Sequence, residues 1–200
     1  LRHLGMRRYA LIAGSYWAFP LADGALRMLV VLYFHQLGYS PLDIALLFLF
    51  YEFFGVVTNL LGGWIAARVG LAATLIAGLL LQVAALAMLL VDEKFLTVAY
   101  VMVAQAISGI AKDLNKLSAK SSVKLMAGES QGRLYRWVAW LTGSKNALKG
   151  MGFFAGSASL ALVGFTTSIA LMALTLLGVA VATVALLDRD MGKASFKPKV

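Results

Sequence analysis

The chain alternates long apolar runs with short polar interruptions, most of them basic. Within each run the apolar residues are nearly continuous and do not alternate every second position. That pattern argues for helices and against barrel strands. Each run is also long enough to cross a hydrocarbon core, which takes about 20 helical residues. Six spans are expected, over 9–34, 42–67, 72–91, 95–117, 134–163 and 168–187. Turns fall at 35–41, 68–71, 92–94 and 164–167, and a longer polar connection at 118–132. The expected fold class is all-α: one six-helix transmembrane bundle over 1–190, with 188–200 the start of a basic linker. Helices satisfy every backbone group internally, which lipid requires.

Composition agrees with this reading. Hydrophobic residues make up 61% of the 200 residues and mean hydropathy is +0.84. Charged residues are 14%, where a soluble domain carries roughly 25%. The net charge of +9 raises nucleic acid as a partner, but the distribution of the charge speaks against it. With the N terminus in the cytoplasm, twelve of the eighteen Lys and Arg fall on one side: Arg2, Arg7, Arg8, Arg68, Lys120, Lys124, Arg133, Arg136, Arg189, Lys193, Lys197 and Lys199. Only Lys94 falls on the other side. This is the bias that orients membrane proteins. It predicts a multi-pass protein of the plasma membrane, the bacterial inner membrane, with both termini of this segment cytoplasmic. The partners expected are the lipid bilayer and a small solute, with no nucleic acid.

Several chemistries are disfavoured. The chain has no cysteine, which excludes disulfides, thiol catalysis and Cys-ligated metals. His35 stands alone at a turn and His3 lies near the start, so no metal-ligand set and no His-Asp-Ser arrangement emerges. No cofactor, metal or enzymatic activity is expected. The first apolar run is too long, and too charged in its middle, for a cleaved signal peptide. The chain begins at Leu1, so a few preceding residues are expected to be missing.

The candidate chemistry lies inside the spans. A charge near the bilayer centre costs roughly 2.5–3.5 kcal/mol on insertion scales, so it persists where it faces protein or water. Eight such charges occur: Asp23, Arg27, Glu52, Lys112, Asp113, Lys116, Lys145 and Lys149. They fall on the first, second, fourth and fifth spans and leave the third and sixth free of charge. Helical spacing aligns Tyr16, Pro20, Asp23 and Arg27 on one span. It likewise aligns Gln105, Ser108, Lys112 and Lys116 on another, and Thr142, Lys145 and Lys149 on a third. Three polar stripes on apolar cylinders should converge on a shared cavity.

Blander readings compete. Asp23 and Arg27 are suited to neutralise each other, and Glu52 and Lys145 to pair across two helices. Asp113 is suited to a neighbouring lysine, and Lys112 and Lys116 to snorkelling toward the surface. Lys145 lies about 16 Å from the start of its span at Leu134, too deep to snorkel. Five positive charges against three negative leave an excess of two, which an anionic substrate would compensate. The expected substrate-binding residues are Arg27, Lys145, Lys149, Lys112, Asn146 and Gln105. Asp23, Glu52 and Asp113 are the candidates for carrying a coupling proton.

Two loops add a resemblance. Gly62-Gly63-Trp64-Ile65-Ala66-Ala67-Arg68-Val69-Gly70 resembles the signature loop between the second and third helices of the major facilitator superfamily. Gly63, Arg68 and Gly70 fit that gating loop, whereas its acidic position is Ala67 and its later basic pair is replaced by Ala72 and Ala73. Gln105-Ala106-Ile107-Ser108-Gly109 is similar to the helix-four motif, with Gln105 where an arginine is usual. Gly152 and Gly156 form a GxxxG whose default role is close packing.

Longer segments are similar to the ArsJ family, organoarsenical efflux permeases of that superfamily. They are Ala25 to Leu32, Leu49 to Leu60, Ser108 to Lys116 with Ser118 to Ser122, and Gly143 to Gly150. The resemblance implies one half of a major facilitator fold, with its C-terminal half outside this chain as partner. It implies efflux of 1-arseno-3-phosphoglycerate, arsenate resistance, and a functional link to a glyceraldehyde-3-phosphate dehydrogenase. Rival readings are an anion channel, another exporter of phosphorylated metabolites, a half-size transporter working as a homodimer, and a membrane enzyme acting on a lipid-like phosphate.

Overall fold

Long apolar segments with few helix breakers wind into helices wherever the backbone must satisfy itself. The computed structural model describes residues 2–127 and 131–186. Within them run α1 (Arg2–Gln36), α2 (Pro41–Leu47), α3 (Leu49–Val69), α4 (Leu71–Met88), α5 (Val98–Ala127), α6 (Gln131–Val163) and α7 (Phe165–Leu186), with a short 3₁₀ turn at Glu93–Phe95. The protein is an all-α polytopic membrane bundle. α2 and α3 form a single rod interrupted at Phe48, so six long helical elements make up the bundle among the described residues. The expected tail, 188–200, with its Arg189, Lys193, Lys197 and Lys199, lies outside the described residues. So do the side chains of His3, Arg2, Arg7 and Arg8.

Length and apolarity alone qualify four crossings: Ala10–Gln36, Pro41–Val69, Leu71–Met88 and Phe165–Leu186. The other two, α5 and α6, are 30 and 33 residues long but more polar, because the lysine stripes sit on them. The polar connection expected from Ser118 is helical as far as Ala127. Its serines occupy helical spacing beside apolar residues, and Ser118, Ala119, Ser122 and Val123 are all fully buried. A segment whose small polar residues face inward prolongs a helix and does not break it.

Local chemistry sets the turns. Ser40 and Asp43 form a reciprocal capping box with Pro41 at the first helical position, which starts α2. Gly70, at φ 101°, ends α3 and starts α4 in a conformation that other residues avoid. The polypeptide thus presents a basic face, at the α3–α4 turn and the α5–α6 connection. On the opposite face are the α1–α2 turn, the 3₁₀ turn and the α6–α7 turn.

Glycines bring particular helix pairs close. A side chain at Gly24 would strike the Lys149 carbonyl, one at Gly152 the Leu21 carbonyl, and one at Gly156 the Ala25 backbone, so α1 and α6 touch main chain to main chain. The Gly152/Gly156 pair therefore has its packing role. Gly109 is equally close to the Tyr51 backbone and joins α5 to α3, and Gly78 joins α4 to α5. Two apolar clusters result. One, with Leu26, Leu29, Phe34, Leu86, Leu89 and Ile169, fills the bundle toward the opposite face. The other, with Ile12, Ala13, Leu75, Ala119, Val123 and Leu141, lies toward the basic face. On α1 the two clusters meet at Tyr16 and Phe19, one turn before Pro20 and Asp23. The outward surfaces of α3, α6 and α7 expose Phe53, Leu60, Trp64, Phe154, Leu162 and Leu174, apolar side chains suited to lipid or to another helix.

Candidate functional site: a lysine-lined cavity

Where the glycine contacts hold α1, α3, α5 and α6 together, the polar stripes meet. They enclose a cavity of about 240 Å³ lined by Tyr16, Phe19, Pro20, Asp23, Glu52, Lys112, Asp113, Asn115, Lys116, Lys145 and Lys149. α1 supplies Tyr16 to Asp23, α3 Glu52, α5 Lys112 to Lys116, and α6 the last two lysines. Pro20 lies inside α1, where its missing N–H leaves a backbone carbonyl without its usual helical donor.

The ion pairs differ from the simplest sequence expectation. Asp23 does not close an ion pair with Arg27, though the two stay within electrostatic reach. Its carboxylate, only 5% exposed, accepts a hydrogen bond from the Tyr51 hydroxyl and lies 3.4 Å from Lys149 Nζ. Arg27 instead reaches Glu52 at 3.2 Å, with its guanidinium over the rings of Phe48 and Tyr51. Four-residue spacing put Asp23 and Arg27 on one face, but the close α1–α6 contact offers Asp23 a nearer cation. The rod at α3 likewise offers Arg27 a nearer anion.

Glu52 therefore does not pair with Lys145. It bridges Arg27 and, at 3.5 Å, Lys112. Lys112 also approaches Asp113 at 3.7 Å and rests 4.3 Å from the Tyr51 ring centre. Asp113 takes its neighbouring lysines, Lys112 and Lys116, the latter at 3.5 Å. Neither lysine snorkels clear of the bundle, since both line the cavity wall.

Lys145 stands apart. Lys112, Lys116 and Lys149 each have a carboxylate within 4 Å, whereas Lys145 has none among the described residues. Its charged neighbours are Lys116, Lys149, Lys120 and Lys112. The cavity wall thus holds four lysines against Asp23, Glu52 and Asp113, with Arg27 tied to its edge through Glu52. Two buried donors without protein partners, the Tyr16 hydroxyl and Asn115 Nδ2, also belong to this wall. Unpaired donors beside unmatched positive charge are chemically suited to an oxygen-rich anion.

Of the residues singled out from sequence, Lys112, Lys145, Lys149, Asp23, Glu52 and Asp113 come together. Asn146 is exposed on α6, because one helical step past Lys145 turns it about 100° away. Gln105 is buried two turns along α5 from Lys112, with its Nε2 unpartnered, and is not in the cavity wall. Asn115, Phe19 and Tyr51 belong to the site and were not anticipated. Tyr51 adjoins Glu52, and its spacing to the buried Gly55 and Thr58 of α3 signals an inward face. The loop residues lie at the basic face, outside the cavity. There a side chain at Gly63 would meet nothing within 4 Å, and Arg68 lies 4.3 Å above the Trp64 ring.

No family profile and no curated protein matches the chain. Solved structures do. Crystal structures of a mutant of peptide transporter POT, one in complex with sulfate and one with alafosfalin, superpose with TM-scores of 0.68 and 0.69 at 19% identity. Each match covers 92% of this chain and 38% or 39% of the transporter chain. At that identity the likeness establishes the fold alone, a helical bundle like the part of the transporter on which it superposes. The chain spans less than two-fifths of the length of those proteins.

Proposed function

We propose that the chain forms one half of a secondary active transporter that carries a small, multiply charged anion by alternating access. The observation that carries this reading is the convergence of Lys112, Lys116, Lys145 and Lys149 on one cavity, with Lys145 lacking a carboxylate among the described residues. Four cations in a low-dielectric wall repel one another, and an anion entering between them relieves that repulsion. Lys145 and Lys149 hold the anion, Tyr16 and Asn115 donate hydrogen bonds to it, and Lys112 and Lys116 guide it. Arg27 supports the wall through Glu52. Asp23, buried beside Lys149, is the best placed of the three acids to exchange a proton as the anion comes and goes. The protein is a carrier and not an enzyme, embedded in the plasma membrane with its basic face in the cytoplasm.

The finer assignment is export of 1-arseno-3-phosphoglycerate. The ArsJ-like segments from Ser108 to Lys116 and from Gly143 to Gly150 support it, since they contain the cavity lysines. This substrate carries both phosphate and arsenate charge, as a cationic cavity requires. The product of a glyceraldehyde-3-phosphate dehydrogenase would then be expelled by the complete transporter, whose second half packs against this one. An arsenate-sensitive cell should gain resistance from the full-length protein together with the dehydrogenase, and from neither alone. Lys145→Ala with Lys149→Ala should abolish that resistance when compared at matched membrane abundance. Full resistance in the double variant refutes the anion site, and resistance without the dehydrogenase refutes the substrate.

A further inference from the structure

The lysines of α5 continue beyond the cavity. Lys112, Lys116, Lys120 and Lys124 recur every four residues, one about every 6 Å over about 18 Å of helix axis. Four-residue steps overshoot a full turn by about 40° each, so the row winds gently around α5. At its inner end Lys112 faces Glu52 of α3. At its outer end Lys120 and Lys124 line a second, more open cavity of about 660 Å³ against α6, with Gln131, Leu134, Tyr135 and Thr142 on its wall. Lys145 stands between the two cavities, within electrostatic reach of Lys120 as well as Lys112, Lys116 and Lys149.

The pairing along the row is graded. Lys112 is shared by two carboxylates and Lys116 has one, while Lys120 and Lys124 have none among the described residues. The stretch from Lys120 to Arg136 holds four basic residues against the single acidic Glu129, so this vestibule is cationic whatever that residue contacts. Lys120 is half-buried and Lys124 exposed, and both line the wall of this open cavity at the end of the row.

We propose that Lys120 and Lys124 form a vestibular anion site that captures phosphate-like anions at the basic face and passes them along the row to Lys145. This rests on the anion-carrier reading of the inner cavity and adds a second, outer site to it. A mobile anion meets unpaired lysines first, then Lys145, and exchanges one cation for the next without crossing an uncharged stretch. Sites of this kind raise capture rates through field focusing and lose that advantage as salt screens them. An anionic lipid headgroup offers the same phosphate chemistry, and the two sources are separable by experiment.

The chain has no cysteine, so Thr142→Cys in the vestibule wall gives a single reporter in the full-length protein once any cysteine outside this chain is replaced by serine. In phosphatidylcholine vesicles an anionic methanethiosulfonate should react with it roughly tenfold faster than in the same protein carrying Lys120→Gln and Lys124→Gln. A neutral thiol reagent should react equally in both, which confirms that the fold and access are unchanged. Inorganic phosphate should slow the anionic reagent only where both lysines are present. That protection should persist when phosphatidylglycerol is added to the bilayer. Equal anionic rates in both proteins, or no protection by phosphate, overturn the proposal. Protection that phosphatidylglycerol removes also overturns it, by assigning the lysines to lipid headgroups. Lys145→Ala with Lys149→Ala should leave the labelling bias intact while ending arsenate resistance. The vestibule and the inner site therefore fail or survive separately.

Discussion

Asp23 is the residue on which the inner site turns. It is buried, and it is held by a tyrosine hydroxyl on one oxygen and a lysine on the other. Removing one member of such a pair leaves a charge that the surroundings no longer compensate, whereas removing both with shape kept is far milder. Asp23→Asn should lower stability by about 1.5–3 kcal/mol. Adding Lys149→Met should recover most of that loss without restoring anion binding. Thermal denaturation of the four members of this cycle in detergent checks it, and simple additivity would show that the two residues do not interact. The same residue shows what a sequence can disclose. Charges on apolar helices mark Asp23, Lys112, Lys145 and Lys149 as inward-facing, because lipid tolerates no other placement. Which acid meets which base depends on the distance between helices, and spacing along one helix does not contain that distance. Arg27 lay on the same face as Asp23 and nevertheless found Glu52.

At the level of the element, distances between helices are written in glycines. Gly24, Gly152 and Gly156 let α1 and α6 approach until main-chain atoms touch, and that approach brings Lys149 to Asp23. Gly152→Ala should therefore force the helices apart, cost about 1–3 kcal/mol, and reduce anion transport by moving the pair. Gly150→Ala, two residues away with nothing within 4 Å, is the control. A helical glycine in open space gains stability on becoming alanine, by up to about 1 kcal/mol. A shared loss of melting temperature in both variants would remove the close-contact explanation. Continuous apolar runs made the helices legible, yet the fourth runs past the expected Leu117 to Ala127, because Ser118 and Ser122, polar enough for a connection, are buried. Polar residues packed between helices look like a loop until the neighbouring helix is known. The GxxxG pair suggested packing but could not name its partner.

Across the whole molecule, one asymmetry orders everything else. Arg68, Lys120, Lys124, Arg133 and Arg136 crowd one face, where the vestibule opens, and Lys94 stands on the opposite one. A membrane inserts basic loops on its cytoplasmic side, so the vestibule should open to the cytoplasm. The proposed export fits this arrangement, because a cargo made in the cytoplasm would meet the unpaired lysines before the paired ones. The orientation is measurable without any substrate. A cysteine replacing Lys94, whose side chain is 70% exposed, should react with an impermeant maleimide on intact cells. A cysteine replacing Arg68, on an exposed turn, should react only after the cells are opened. The reverse pattern would place the lysine row on the outer side, and the chain would then be built to gather anions from outside and not to expel them.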